Sequence, residues 1–356
     1  MRFFLYTNAQ SPGPEADTRI IEALVEQSLL ADRSGFGGIA LTEHHFDNYN
    51  TYGNAFMMAA YLAPQLTQAT LLIALTVPAT QNPIELAERA NLLDQLTKGR
   101  AIIGVGPGSS PVEFTGLGRD HATRHAAMDE AIEVAERAWK LKQDTEPLTY
   151  STAYDHGEVT GRIMPAPYGG KEHPRLARGT LSDDGFRWAA ARGWPVFFGR
   201  YPAPQIADKL ALYRAALQEN DHSPEAVDEA LRWSFVQKMV YVADTDEQAL
   251  ADLIEPIRFY QSLIGRAFPK PKGDHVGEGV HVHKALGAAA GDPREFLAAA
   301  AFYGSPDTVA KKIEELTPTG LQNLACHMYF GDMAVEKVHR SMELFVNEVM
   351  PRFTDR

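Results

Sequence analysis

Apolar runs of strand length alternate with stretches of helical period from one end of the chain to the other, at a repeat of roughly 30 to 40 residues. No other feature narrows the fold as far. The strand-like runs cover residues 2–7, 37–41, 70–77, 101–106, 175–179, 195–198, 233–242 and 321–329. Between them, residues 18–34 place Ile20, Ile21, Leu24, Val25 and Leu29 on one helical face, and Pro83 opens a helix at 84–97. Residues 123–142 carry Met128, Ile132, Ala135 and Trp139 as a buried stripe. Further helices are expected at about 54–67, 182–192, 204–220, 246–263, 305–316 and 334–349, with Ser182 and Ser305 as N-caps. Strands that each lead into a helix pair in parallel through right-handed crossovers. Eight such units in one chain predict an α/β protein closed as a (β/α)8 TIM barrel.

The 356 residues suffice for that barrel as a single domain, 1–356, although length alone would also allow two medium domains. Two stretches break the period and are expected as insertions after the fourth and seventh strands. Residues 146–174 include Pro147, Pro165, Pro167 and Pro174 and read as an excursion or hairpin outside the barrel. Residues 266–291 are rich in Gly, Lys and His and read as a long mobile loop, placed to act as a lid over the mouth. His275, His281 and His283 fall there. A metal site and a solvated loop are both open readings, and the lack of a carboxylate or cysteine at tight spacing favours the loop.

Active sites of such barrels lie at the C-terminal ends of the strands. The second strand runs into Thr42-Glu43-His44-His45-Phe46, and burying three ionisable side chains together is costly unless they face a cleft. Glu43 and His44 are therefore candidate catalytic residues. Neighbours on an extended strand point to opposite sides, so only one of His44 and His45 faces a given pocket, which argues against a shared metal ion. Thr76 and residues 106–109 and 179–182 lie at other strand ends. Gly104, Gly106 and Gly108 follow the fourth strand, but Gly-x-Gly-x-Gly with Pro107 inside it is not the dinucleotide-binding spacing. These glycines fit a close approach of the backbone to a flat ligand. Cys326 and His327 lie on the eighth strand, where Cys326 is expected in the core rather than as a nucleophile.

A net charge of −12 and a pI near 5.5 disfavour nucleic acid and anionic membranes as partners. A single cysteine leaves no intrachain disulfide, the first residues lack the pattern of a signal peptide, and no stretch approaches the ~20 apolar residues of a membrane span. The expectation is a cytoplasmic protein acting on small molecules.

Several segments together resemble the bacterial luciferase-like, flavin-dependent monooxygenases. They are Glu43-His44-His45-Phe46, the run Asn91-Leu92-Leu93-Asp94-Gln95-Leu96-Thr97-Lys98-Gly99-Arg100, the Ala189-Ala190-Ala191-Arg192-Gly193 turn and Gly304-Ser305-Pro306. The C-terminal Met342-Glu343-Leu344-Phe345 and Val349-Met350-Pro351 complete the set, so the resemblance runs from residue 1 to about 353. It implies a luciferase-like TIM barrel that binds reduced FMN at its mouth, reacts it with O2 and passes oxygen to an organic substrate. The reduced flavin would diffuse in from a separate reductase, and a homodimer is the expected assembly. By the same resemblance His44 is catalytic and Glu43 orients the neighbouring site. Ala74-Leu75 stands where the family often has a non-prolyl cis peptide behind the flavin ring, and Gly106 lies beside the ring. The FMN phosphate would sit near Arg124, with Gly179, Thr180 and Ser182 offering a helix N-terminus, a sensible place for a dianion. Luciferase has a phosphate-side arginine where this chain has Pro107 and an acidic residue where it has Arg178, which makes Arg178 a second source of positive charge. Two other readings accompany the fold: an F420-dependent hydride-transfer oxidoreductase, and a non-catalytic flavin-binding partner subunit.

Overall fold

A computed structural model describes residues 1–199, 201–267 and 291–354. Eight parallel strands close on themselves in the order β1 (Arg2–Thr7), β2 (Gly38–Leu41), β3 (Thr70–Thr76), β4 (Ala101–Val105), β7 (Arg175–Gly179), β8 (Val196–Gly199), β9 (Phe235–Val242) and β11 (Asn323–His327). β5 (Leu148–Ser151) and β6 (His156–Val159) form a separate antiparallel hairpin, so the proline-rich excursion lies outside the barrel as expected. A short β10 (Ala301–Gly304) extends the sheet. It pairs with Met239 to Val242 of β9 beyond the point where β8 stops, at Gln237.

The helices are α1 (Asp17–Arg33), α2 (Ala55–Leu62), α3 (Pro83–Leu96), α4 (Pro111–Gly116), α5 (Arg124–Trp139), α6 (Asp183–Ala191) and α7 (Ala203–Glu219). They continue as α8 (Pro224–Trp233), α9 (Asp246–Ala267), α10 (Pro293–Ala300), α11 (Pro306–Glu314) and α12 (Val335–Leu344). Ser182 and Ser305 cap α6 and α11 as read from the sequence. β10 and the short α4, α8 and α10 went unread, because elements of one to three turns carry too few residues to show a period. Among the described residues no helix is long and apolar enough to cross a membrane. The lid reading and His275, His281 and His283 fall on residues 268–290, outside the described residues.

Inward-facing positions of the strands build a packed interior from Phe4, Ala40, Leu72, Ala74, Ile102, Ala177, Phe197, Phe235 and Ala325, large residues from some strands meeting small ones from others. Phe197 and Phe235 stack with centroids 4.3 Å apart. At the N-terminal end of the strands Trp233 closes the barrel, with the guanidinium groups of Arg2 and Arg175 at 4.8 and 5.4 Å from its ring. At the same end Asp32, near the C-terminus of α1, accepts from Thr67 N–H and hydroxyl, each at 2.8 Å, from Gln68 N–H at 3.0 Å and from Ala69 N–H at 2.7 Å.

The Asn91-to-Arg100 run has a structural task that its composition did not reveal. From α3, Asn91 Nδ2 donates to Pro165 O at 2.7 Å, Gln95 Nε2 donates to Ala166 O at 2.7 Å, and Asp94 Oδ2 accepts from Tyr168 N–H at 2.8 Å. Asn91 also accepts from Trp139 Nε1 at 2.8 Å, so one helix holds both α5 and the returning end of the excursion.

Candidate active site

The strand ends surround a cavity of about 270 Å³. Its walls include Glu43, His44, Tyr49, Leu75, Val77, Gly108, Glu113, His121, Arg124, Thr180 and the Phe197–Phe235 pair. Most of that surface is carbon, which suits a flat apolar ligand with a few polar anchors. Arg124 is the one arginine or lysine among the described lining residues.

β2 stops at Leu41, and the chain continues without regular structure through residues 42–45 before Phe46 and Asn48 turn it with φ of 71° and 60°. His44 faces the cavity. His45 turns instead toward Glu43, its Nε2 3.9 Å from Glu43 Oε1, so the expected division of the two histidines holds. Glu43 lines the cavity too, and its Oε1 accepts from Thr76 Oγ1 and Gln81 Nε2, each at 3.3 Å.

The carboxylate in contact with the His44 ring is Glu113. Its Oε1 lies 2.8 Å from His44 Nδ1 and accepts from His45 N–H at 3.1 Å. Glu113 sits on α4, whose N-cap Ser110 accepts from Glu113 N–H at 3.4 Å. A Cβ on Gly116 would meet the Phe46 ring at 2.4 Å, so the bare backbone there lets α4 lie against the histidine loop. The sequence did contain a signal, since Ser110-Pro111-x-Glu113 has the spacing of a capping box. In the folded chain the glutamate binds the histidines.

Electrostatics follow from these contacts. Burial opposes charge on His44, but Glu113 outweighs it and the pKa stands above the ordinary 6.5. Burial would raise Glu113, yet His44 and the His45 N–H hold it below the usual carboxylate value. His45 is raised by the nearby Glu43 carboxylate, against burial. His121 is pushed down to about 4, first by burial and then by the neighbouring Arg124 charge, and so remains neutral beside that cation.

On the neighbouring strand β3, Ala74-Leu75 is a cis peptide and both residues line the cavity. Leu75 rests on two glycines: a Cβ at Gly179 would lie 1.9 Å from its Cδ2 and one at Gly106 2.7 Å from it. Gly179 and Thr180 line the cavity with Arg124, whose Nη1 donates to His121 O at 3.1 Å. Three expected cofactor residues do not line it. Gly106 is covered by Leu75. Ser182 is committed to its cap, accepting from Gly185 N–H at 3.2 Å. Arg178 points out of the barrel and is buried against Met128 of α5, with its guanidinium 5.1 Å from the Trp188 ring of α6. Inward-facing Ala177 fixes that parity, because side chains alternate along a strand. The first turn of α6 is also acidic, with Asp183 and Asp184, which leaves Arg124 as the better anion partner. Cys326 is buried and its thiol pushed up by burial, in keeping with a core role.

A closed barrel with a histidine–carboxylate pair at its mouth agrees with the sequence comparisons. The chain belongs to the luciferase-like monooxygenase family, whose model matches residues 1–323. It is 24% identical over 373 residues to the alkanal monooxygenase alpha chain of Photorhabdus luminescens, covering 99% of this chain and 96% of that protein. Identity is 29% over 329 residues to 4-hydroxyprotoasukamycin monooxygenase of Streptomyces nodosus subsp. asukaensis, covering 90% and 84%. Among solved structures, a monooxygenase from Streptomyces bottropensis superposes with a TM-score of 0.80 at 20% identity, covering 99% and 100% of the two chains. The oxygenating constituent of 3,6-diketocamphane monooxygenase from Pseudomonas putida, in complex with FMN, gives 0.78 at 22%, covering 99% and 98%. An F420-dependent secondary alcohol dehydrogenase shares the fold as well, at a TM-score of 0.72 and 16% identity, covering 98% of each chain.

Proposed function

We propose that the protein is a two-component monooxygenase that takes reduced FMN and O2 as co-substrates and hydroxylates, or inserts oxygen into, a small organic molecule. The observation that carries this reading is one cavity lined by a histidine already paired with a carboxylate, by an apolar wall and by Arg124. Those residues fit a flat ring with an anionic tail: Leu75, Val77 and Phe197 offer the apolar surface, and Arg124, beside Gly179 and Thr180, the positive charge. When bound, the flavin supplies the electrons and the oxygen chemistry. Arg124 binds the phosphate, the apolar walls restrict water, and His44 holds or moves a proton near neutral pH.

The sequence has no dinucleotide fingerprint, which supports delivery of electrons by a separate flavin reductase. A homodimer and a cytoplasmic location belong to the same reading. Exposed Met57 and Tyr61 on α2 and Leu92 and Leu96 on α3 offer an apolar face for a second copy, and the mass of the protein in solution tests it.

Titrating flavin-free protein with FMN and with F420, and then following O2 uptake with reduced FMN and a substrate panel, tests the cofactor and the reaction. The expected result is fluorescence quenching by FMN and substrate-dependent O2 uptake. Binding of F420 in preference to FMN would point to hydride transfer, the chemistry of the F420 dehydrogenase that shares this fold. Flavin binding with no oxygenated product, all the O2 consumed returning as H2O2, would point to a non-catalytic partner subunit.

A further inference from the structure

Glu113 has no part in the family resemblance and is separated from His44 by 69 positions, yet its Oε1 lies 2.8 Å from the imidazole Nδ1. An ionised carboxylate only accepts hydrogen bonds, so a neutral His44 facing it must carry its proton on Nδ1. The ring's second nitrogen, Nε2, is then the one at which a proton is taken up or released. The carboxylate is itself anchored. Its Oε1 also accepts from His45 N–H, while Ser110 caps α4 and donates through its hydroxyl to Ala267 O, at the end of α9, at 2.7 Å. The edge of the ring is fixed a second time by Tyr49, which meets it in a T-shaped contact at 4.8 Å and whose hydroxyl lies 2.7 Å from that of Tyr260 on α9.

We propose that Glu113 is the positioning residue of the site, holding His44 in one orientation and one tautomer so that Nε2 is the nitrogen that exchanges protons in the cavity. This rests on the reading of His44 as the proton-transfer group. Among the described residues, the charged and titratable neighbours of the imidazole include Glu113 on α4, Asp47 and His45 on its own loop, and the Tyr49 phenol, itself joined to that of Tyr260. Glu113 and Asp47 favour the imidazolium and His45 opposes it, and of the three Glu113 acts most strongly.

The experiment is a histidine-resolved NMR titration of the flavin-free protein, wild type against Glu113→Gln and Glu113→Ala. Glutamine keeps an oxygen for the His44 and His45 N–H groups but removes the charge, so the fold and the Nδ1–H tautomer should persist. The His44 acid dissociation constant should then rise about tenfold or more, one pH unit in midpoint. Alanine should also release the tautomer, seen as mixed Nδ1 and Nε2 protonation in the nitrogen shifts. The midpoint of the pH–rate profile for substrate oxidation should move with the titration in the glutamine variant. An unchanged His44 midpoint in Glu113→Gln overturns the proposal, as does a wild-type tautomer protonated at Nε2. These readings need no flavin and no turnover, so if the monooxygenase reading fails the tautomer assignment is still decided by itself.

Discussion

At the closed end of the barrel Asp32 is satisfied by three backbone N–H groups and a hydroxyl, whereas at the open end Glu113 spends its one bonded oxygen on a backbone N–H and an imidazole. Both carboxylates are buried, and both are held below their ordinary pKa against the opposing effect of burial. Their partners differ in kind. Fixed dipoles cannot gain or lose a proton, so Asp32 can only hold a loop in place. An imidazole can, so at the mouth the same kind of ionised group favours a proton on its partner. The end of the barrel therefore decides what a buried carboxylate is for.

The largest expected effect breaks the comparison at its closed end. Asp32→Ala leaves three backbone donors without their acceptor and should cost about 3 kcal/mol of stability, with little change in turnover per folded molecule. Chemical denaturation compared with specific activity checks it, and a turnover loss without a stability loss would invert the roles given to the two ends. At the mouth, His44→Ala should fold and bind flavin normally while substrate oxidation falls at least ~100-fold. Wild-type product formation in that variant would remove His44 from the chemistry. Arg124→Ala should weaken FMN about ten- to a hundredfold and riboflavin hardly at all, because only FMN carries the phosphate. Equal losses in binding titrations with the two flavins would make Arg124 structural.

The smallest effect sharpens the contrast through pH. His44 has a raised folded pKa, so its pairing with Glu113 contributes stability that is complete below about pH 6.5 and fades as pH rises through the folded value. Asp32 has a depressed one, so its contribution is present above about pH 3.9 and fades only as pH falls through the folded value. Melting temperatures of Glu113→Gln should thus approach wild type as pH is raised from 6 to 9, while the deficit of Asp32→Ala stays constant over that range. Parallel curves for the two variants would show that Glu113 is no more than a second loop anchor.

Strands such as β2, β3, β4 and β8 were legible because each is a short apolar run ended by Gly, Pro or charge, and burial on both faces leaves few other residues possible. His44 was legible for the opposite reason, as an ionisable side chain where such a run stops. Its partner was not, since Glu113 lies on six residues of helix too short for any period and reaches His44 only because β2, β3 and β4 pair side by side. Arg178 was misread although the information was present: with Ala177 facing inward, residue 178 must face out. What local pattern cannot supply is which strand end meets which. The lateral order β2-β3-β4-β7 brings residues 43, 75, 113, 124 and 180 to one cavity.

The seat of Leu75 has a consequence for how this cavity could change over generations. Its side chain fills the room that methyl groups at positions 106 and 179 would occupy. A single Gly→Ala replacement at either position would thrust Leu75 toward the ligand, and the opposite change in a relative would let a bulkier residue retreat. The breadth of the chamber is in that sense written at two places that present no side chain at all. A lineage could retune which molecules fit without altering one residue that recognises them.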